Sequence, residues 1–286
     1  HTAVKTPEFA RHWAQKLGTT SESLVQLRGG INNHVFRCGS PGRQWVIKCY
    51  QARQANQRDR MQAEVEFLRY AELVAPDCVP KLVAVDNERR CVLLEHIEGE
   101  PFPEGVTPST EDVQTAINFL KALNEDLDAA REMIQLDAAE GFLSLRQHMT
   151  NVRERLSCMG TEHLPLQCKA EAAELLGKLH EQTDRVEIHL EAKINQGLVE
   201  DVLNPDYRCI SPSDFGFHNA IRTAKKVVFI DFEFAGWDDP AKTCNDFILQ
   251  QRVPVGITLN SMSSRPLFGN KSITASRMSS IYEILR

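Results

Sequence analysis

The order of short apolar runs and turns in the first third of the chain constrains the fold more than any other feature. Three runs rich in β-branched and aromatic residues are joined by two Gly-containing turns, and they read "LVQL", "HVFRC" and "QWVIKCY". A helical pattern follows, with Met61, Val65, Leu68 and Leu73 near helical spacing. Two more apolar runs then flank a polar turn in "VPKLVAVDNERRCVLLEHI". The pattern predicts three strands, one helix and two further strands.

The character of the chain changes after the Gly- and Pro-rich linker "EGEPFPEG". Ser109 and Asp112 fit a capping box, and a helix is predicted after it from the apolar stripe Val113, Ile117, Leu120, Leu123 and Leu127. Further helices are predicted at about 142–158 and 169–194, the second from the stripe Leu175, Leu179, Val186 and Leu190. The Ser-rich stretch "SMSSRPLFGNKSITASRMSS" has only a weak pattern. The sequence therefore predicts an α+β chain, with a mainly helical second part.

Charge and cysteine content argue against several classes of partner. The chain carries 33 Lys and Arg against 39 Asp and Glu, whereas nucleic acids and anionic membranes attract clustered Lys and Arg. The eight cysteines form no Cys-x-x-Cys pair, which favours reduced, mostly buried thiols over a zinc site. No apolar stretch approaches the roughly 20 residues of a membrane-spanning helix. We therefore expect a cytoplasmic protein that binds neither nucleic acid nor membrane.

Two polar stretches, "SPSDFGFHNAI" and "VVFIDFEFAGWDDP", carry the chemistry. Asn219 follows Asp214 by five residues, and Asp231 ends an apolar strand twelve residues after Asn219. Phosphoryl transfer from ATP needs groups in this order, because one carboxylate accepts the proton of the acceptor hydroxyl, and an amide and a second carboxylate offer oxygen ligands to magnesium. Upstream, Lys48 on the third strand and a carboxylate on the following helix would complete a phosphate clamp.

Between about residues 24 and 255, the sequence resembles the aminoglycoside phosphotransferase and choline kinase family. The resemblance is carried by "GGINNHVF", "WVIKCY", "AEVEFLRYA", "LLEHIEGEPF", "SDFGFHN" and "IDFEFAGWDDP", which stand in the order seen in the family. It implies a protein-kinase-like fold of two lobes. Residues 1–97 would form a small nucleotide-binding lobe with an antiparallel sheet and one helix, and residues 98–286 a larger, mainly helical lobe for catalysis and substrate binding.

The resemblance also implies roles for the polar residues. Asp214 would be the catalytic base, and Asn219 and Asp231 would bind magnesium, so that the functional metal triplet is "DFE" at 231–233 and "DFG" at 214–216 only looks like one. Lys48 would hold the α- and β-phosphates of ATP and pair with Glu64, for which Glu66 is the alternative.

The remaining contacts implied by the resemblance concern the nucleotide. The adenine would bind near Glu95 and Ile97, between the lobes. Asn33, at the end of the "GGINN" turn, would contact phosphate, although a turn with two glycines is more often only a turn.

Two departures from the family pattern are visible. Pro212 and Ser213 precede Asp214 where the family commonly has His and Gly, so the histidine that usually supports this loop is missing; Thr243 stands where an Asp often follows Pro240. The leading hypothesis is an ATP- and magnesium-dependent kinase that acts on a hydroxyl of a small molecule, such as an amino sugar, an amino alcohol or a sugar. The alternative is a catalytically weak or inactive kinase-like module that binds nucleotide.

Overall fold

A five-stranded antiparallel sheet forms the amino-terminal part of the protein, in the strand order β1-β2-β3-β5-β4. The computed structural model describes residues 8–19, 23–27, 33–51, 57–258, 262, 268 and 274–286. The strands are β1 (Val25–Gln26), β2 (Asn33–Ser40), β3 (Arg43–Tyr50), β4 (Leu82–Asp86) and β5 (Cys91–Glu95). Residues 28–32, which carry most of the "GGINN" turn, lie outside the described residues. The predicted order of strands and helix in this lobe is confirmed.

Helix α2 (Arg60–Val74) follows β3 and packs one face on the sheet. It begins at Asp59, whose side chain accepts the backbone N–H of Gln62 and so satisfies a donor that has no partner inside the helix. Met61, Val65 and Leu68 are buried as predicted, whereas Leu73 is 63% exposed. Leu73 follows Leu68 by five residues, about 140° around a helix of 3.6 residues per turn, and therefore faces away from the core.

An additional helix, α1 (Glu8–Lys16), precedes the sheet and was not predicted from the sequence. Its buried Ala10 and Trp13 belong to a small apolar cluster with Phe36 and Ile47 of the sheet. This cluster is separate from the main core, which lies between α2 and the second part of the protein.

Helices dominate the second part of the protein. They are α3 (Thr110–Asn124), α4 (Asp128–Met133), α5 (Leu145–Ser157), α6 (Leu166–Asn195), α7 (Pro240–Ile248) and α8 (Ala275–Leu285). The capping box of Ser109 and Asp112 is present at the start of α3. The predicted stripe is buried, but its last member, Leu127, lies beyond the end of α3 at Asn124. The prediction for α6 holds for the helix but not for its whole stripe. Leu190 is buried, but Leu175 and Leu179 are 59% and 41% exposed.

Short strands between the helices hold the two polar stretches, "SPSDFGFHNAI" and "VVFIDFEFAGWDDP", in place. They are β6 (Glu100–Pro101), β7 (Cys209–Ser211), β8 (Ala220–Arg222), β9 (Val227–Phe229) and β10 (Gly236–Asp238). Strands β8 and β9 form a hairpin, with Ala220 opposite Phe229, and β6 pairs with the other edge of β8. Just beyond the hairpin pairs, the backbone N–H of Ile230 donates to the carbonyl of Asn219 at 2.9 Å. The hairpin thus brings Asn219 and Asp231 next to each other.

The cysteines agree with the expectation of reduced thiols. All eight are free, and five of them are buried, namely Cys38, Cys49, Cys91, Cys209 and Cys244. Within the part of the chain that the structure describes, no helix has both the length and the apolar character needed to cross a membrane.

Candidate active site

Buried phenylalanines alternate with polar residues in the loop that carries Asp214. Phe215 and Phe217 are buried, and their rings lie 5.2 and 6.1 Å from the ring of Phe247 on α7. Because these rings occupy the core, the side chain of Asp214 lies at the surface of the loop and is 50% exposed. The "DFG" triplet therefore uses its Phe for packing and presents its Asp to solvent.

The second stretch has the same construction. Phe232 packs against Phe67 of α2 with ring centroids 4.5 Å apart, while the side chain of Asp231 is 41% exposed. Five described residues other than Gly have a positive φ, and three of these, Ser213, Asp214 and Asp231, lie in these two stretches. Residues that are not glycine rarely adopt this left-handed conformation, and those that do cluster at functional sites.

Lys48 connects the two parts of the protein at this site. Its Nζ donates to Glu64 Oε2 and to Asp231 Oδ1, each at 2.6 Å. Burial by itself would lower the pKa of Lys48, but the negative charges of Glu64, Asp231 and Glu233 outweigh this effect and raise the pKa above its ordinary value. Lys48 therefore stays charged, and Glu64, which also accepts from the hydroxyl of Tyr50, is its partner on α2. The alternative, Glu66, instead accepts the backbone N–H of Gln135 at 2.9 Å.

Glu233, the last residue of "DFE", points into the protein. Asn33 on β2 donates from Nδ2 to Glu233 Oε2 at 2.8 Å, and both residues are buried. Burial raises the pKa of Glu233, and the charge of Lys48 opposes this shift. The guanidinium of Arg58, just before α2, donates to the backbone carbonyls of Glu233, Asp137 and Ala235. Arg58 was not singled out from the sequence, because its partners lie far along the chain.

The oxygen atoms of Asn219 and Asp231 fit a magnesium ion. Asn219 donates from Nδ2 to the carbonyl of Asp214 at 3.1 Å, and its Oδ1 accepts no hydrogen bond from the residues that the structure describes. Asp231 Oδ1 accepts from Lys48, whereas no described residue donates to its Oδ2. Among the described residues, no group of three or more His, Cys, Asp or Glu could hold a metal alone. Magnesium suits such a set, because it commonly takes one or two protein oxygens and completes its shell with water and phosphate.

A cavity of about 220 Å³ lies between the sheet and the β8–β9 region. Lys48, Asn33 and Asp231 line it together with the segment Glu95–Ile97, and apolar residues complete the lining, among them Val35, Val46, Leu94 and Ile221. Within the described part of the chain, the backbone N–H of Ile97 donates to no other group. The predicted adenine-contacting and phosphate-contacting residues therefore border one cavity.

A second cavity, of about 590 Å³, borders Asp214. Asp214, Phe234, Gln250, His148 and Lys242 are among the residues that line it. Lys242 is buried between Asp238 at 3.0 Å and Asp246 at 2.7 Å. Thr243, which stands where the family often has an Asp, is buried and donates to the carbonyl of Asp239. Trp237 is not among the described residues that line this cavity, and its indole N–H donates to the carbonyl of Ile134.

The buried His148 in the wall of this cavity leads to a prediction about the stability of the protein in acid. Burial, and then the charge of Lys242, lower the pKa of His148 to about 3, whereas in the unfolded chain it is about 6.5. A group whose pKa is lower in the folded than in the unfolded protein stabilises the fold at pH values above its unfolded pKa. For His148 this stability is lost as the pH falls from 6.5 towards 3. We expect His148 to lower the free energy of unfolding by about 1.4 kcal/mol for each pH unit in that window.

The measurement is urea unfolding at several pH values for the wild type and for His148→Gln. Glutamine can still donate to the carbonyl of Phe142, which accepts from His148 at 3.1 Å, but it does not titrate. The variant should lose less stability than the wild type between pH 6.5 and 5. Equal losses in the two proteins would show that folding does not lower the pKa of His148.

Comparison with known proteins shows which family has this arrangement. A choline/ethanolamine kinase family protein from Mesorhizobium loti superposes with a TM-score of 0.55 at 17% identity, covering 95% of this chain and 80% of that one. A macrolide 2′-phosphotransferase from Brachybacterium faecium gives a TM-score of 0.57 at 15% identity, with 98% and 89% covered. A spectinomycin phosphotransferase, crystallised with ADP and spectinomycin, gives 0.58 at 12% identity, with 96% and 83% covered.

These similarities confirm the predicted fold, a kinase-like α+β architecture with an antiparallel sheet followed by a helical part. A search among curated proteins finds no significant match. Residues 23–242, more than three quarters of the chain, match the sequence profile of the phosphotransferase enzyme family. Lys48, Glu64, Asp214, Asn219 and Asp231, to which the resemblance assigns roles, lie within the matched range. The chain therefore belongs to the phosphotransferase enzyme family.

Proposed function

We propose that this protein is a small-molecule kinase, which transfers the γ-phosphate of ATP to a hydroxyl group with the help of magnesium. The observation that carries the proposal is the position of Asp214 and Asp231 relative to the two cavities. Asp231 and the buried Lys48 border the first cavity, and Asp214 borders the second. A nucleotide in the first cavity and an acceptor in the second would meet between these carboxylates. The family membership supports the same reaction.

Each lobe has a separate task in this proposal. Residues 1–97 bind the nucleotide, with adenine between Glu95 and Ile97 and the phosphates near Asn33 and Lys48. Glu64 holds the ammonium group of Lys48 in place for the α- and β-phosphates, as in kinases. Residues 98–286 supply Asp214, Asn219 and Asp231 and bind the acceptor. ADP in the related spectinomycin phosphotransferase structure supports ATP as the donor.

Asp214 acts as the base. Its half-exposed carboxylate borders the acceptor cavity, so it can orient a hydroxyl group and accept its proton as the oxygen attacks the γ-phosphate. Asn219 and Asp231 would hold magnesium, which supplies positive charge to offset the phosphate oxygens. Lys48 adds a fixed positive charge beside Asp231. The free cysteines support a cytoplasmic location for this reaction.

The acceptor is a small molecule with a hydroxyl group, such as an amino sugar, an amino alcohol or a sugar. The related structures are described as acting on compounds of these kinds, which include choline or ethanolamine and spectinomycin. The described residues around the acceptor cavity include acidic and basic side chains in equal number, namely Glu140, Asp214 and Asp246, and Arg155, Lys242 and Arg252. This balance supports acceptors with few charges. A screen of such compounds for ADP release identifies the acceptor.

ATP with magnesium is expected to raise the melting temperature. A ligand that binds only the folded state stabilises it by RT ln(1 + [L]/Kd), about 2.7 kcal/mol at a hundredfold excess over Kd. The measurement is thermal unfolding with ATP and magnesium, and with ATP and a chelator. Val46→Trp should abolish the shift, because Val46 lines the nucleotide cavity. Val83→Trp is the matched control, because Val83 on the edge strand β4 is 50% exposed and does not line that cavity.

The alternative, a nucleotide-binding module without turnover, gives the same thermal shift and is separated by ADP release. Slow magnesium-dependent hydrolysis of ATP with water as acceptor supports the kinase. Binding without any ADP release, even with a broad set of acceptors, supports the module. No thermal shift at millimolar ATP contradicts both functions.

A further inference from the structure

We infer that His218 is the positioning residue for the catalytic base, which it holds by a hydrogen bond from inside the protein. The inference rests on the proposed function, because it assigns His218 a role that acts through Asp214. His218 Nε2 lies 3.1 Å from Asp214 Oδ1. The imidazole is only 5% exposed, whereas the Asp214 side chain is 50% exposed. A buried, fixed group therefore holds one oxygen of a carboxylate that is otherwise open to solvent.

The environment of the imidazole indicates which nitrogen carries the proton. Nδ1 is buried and has no hydrogen-bond partner among the described residues. A buried N–H without an acceptor is costlier than a buried acceptor without a donor, which favours the proton on Nε2. The contact with Asp214 requires the same tautomer, because a carboxylate oxygen can only accept. The amide nitrogen of Gln250, 3.4 Å from Nε2, then makes a packing contact and not a hydrogen bond. Nε2–H then donates to Asp214 Oδ1. Asp214 Oδ2 accepts only a long hydrogen bond from Asn219 Nδ2, at 3.4 Å, so it keeps a lone pair that can receive the proton of the acceptor hydroxyl.

Packing leaves the ring little room for movement. A Cβ atom on Gly216 would lie 3.0 Å from His218 Nδ1 and 3.0 Å from Gln250 Cγ, so the absence of a side chain at Gly216 lets the ring lie against the loop. The amide nitrogen of Gln250 also lies 3.4 Å from His218 Nε2. Gln250 also lines the acceptor cavity together with Asp214. His218 is thus enclosed between its own loop and the wall of the acceptor cavity.

The backbone of the loop explains why the base needs this support. Ser213 and Asp214 both have a positive φ, which is a costly conformation for residues with a side chain. The position two residues before Asp214 holds Pro212, which cannot donate a hydrogen bond from its backbone or its side chain. The Ser211 hydroxyl accepts the backbone N–H of Ser213 at 3.0 Å and so holds the loop before the base. The groups that contact Asp214 itself come after it, namely the Asn219 amide on its carbonyl and the His218 imidazole on its carboxylate. Among the described residues, the carboxylate of Asp214 therefore depends on His218 for its shortest hydrogen bond.

A series of variants tests the role in turnover. His218→Ala should lower the rate of magnesium-dependent ADP release about 10- to 100-fold, as is typical when the partner that orients a reacting group is lost. His218→Gln, whose amide nitrogen can occupy the place of Nε2, should recover most of the rate. His218→Asn, whose amide nitrogen reaches only as far as Nδ1, should not. The affinity for ATP should stay that of the wild type. His180→Gln is the control, because His180 is exposed on α6.

A double-mutant cycle distinguishes positioning from a general structural effect. If His218 acts through Asp214, His218→Ala should change the rate much less in an Asp214→Asn protein than in the wild type. An equal decrease in both backgrounds, or a rate that is the same for Ala, Asn and Gln at position 218, overturns the inference. ATP binding with no ADP release in the wild type contradicts the proposed kinase and leaves the next measurement to decide on His218.

The hydrogen bond can be observed without any turnover. Long-range 1H–15N correlation spectra above neutral pH, with the His218 signal identified by its absence in His218→Gln, should show the proton on Nε2. The signal should shift when Asp214→Asn removes the negative charge. A proton on Nδ1, or an Nε2 signal that is unaffected by Asp214→Asn, overturns the inference whether or not the protein is a kinase.

Discussion

Asp214→Asn is expected to slow phosphoryl transfer by about 100- to 10,000-fold, the range that a general base contributes. The substitution keeps the size of the side chain but removes the group that accepts the proton of the acceptor hydroxyl. The affinity for ATP should scarcely change, because Lys48, Asn219 and Asp231 remain in place. The measurement is ADP release under saturating ATP, together with a binding titration of the nucleotide.

Asp206→Asn is the control for this prediction. Asp206 is an exposed carboxylate shortly before β7, and its replacement changes the net charge by the same amount. It should leave turnover unchanged. If Asp214→Asn and Asp206→Asn are equally active, another group accepts the proton, and the role proposed for Asp214 is wrong.

The amino-terminal lobe was predictable because its signals are local. Strands β2, β3 and β5 follow from apolar runs between turn residues, and α2 follows from helical spacing. The missed helix α1 has Ala10, Trp13 and Ala14 as its buried face. Two small residues and one aromatic residue within a helix of nine residues give only a weak helical periodicity. Its burial depends on the sheet against which it packs.

Contacts between distant segments explain why α8 was missed. The Ser-rich sequence around Arg277 has little helical patterning, yet α8 is tied to the protein by a buried ion pair, in which Arg277 donates to Asp239 Oδ2 at 2.7 Å. The same guanidinium donates to the carbonyls of Leu143, Glu200 and Asp201. One carboxylate and three backbone carbonyls, from three segments of the chain, thus fix Arg277 and with it α8. No pattern within the helix sequence indicates these partners.

The candidate site was predictable as a set of residues but not as a network. The spacing of Asp214, Asn219 and Asp231 reflects one loop and one hairpin, so it is visible in the sequence. The bonds from Lys48 to Asp231 and from Asn33 to Glu233 join residues about 200 positions apart and depend on how the lobes pack. His218 was not singled out, because a single His beside a motif has no distinguishing sequence signal until its burial is known.

Asp231→Asn is expected to lower both turnover and magnesium-dependent affinity for ATP, in contrast to Asp214→Asn. The substitution removes a charged oxygen ligand, and neutral amide oxygens bind hard cations more weakly than carboxylates do. It also removes one of the carboxylates that hold Lys48 Nζ, although Glu64 remains. Turnover should therefore fall at any magnesium concentration. The affinity for ATP should fall more in the presence of magnesium than in the presence of a chelator.

Magnesium titrations of ATP binding in the two variants decide which triplet is the metal site. With Asp231 as a ligand, Asp231→Asn should need more magnesium to reach half of its maximal ATP binding, while Asp214→Asn should follow the wild-type curve. Lys48 complicates the comparison in one respect, because its bond to Asp231 is present without metal, so ATP binding in the presence of a chelator must be measured for each protein and subtracted. Normal magnesium dependence in Asp231→Asn, together with a loss in Asp214→Asn, would make "DFG" the metal triplet and reverse the two assignments.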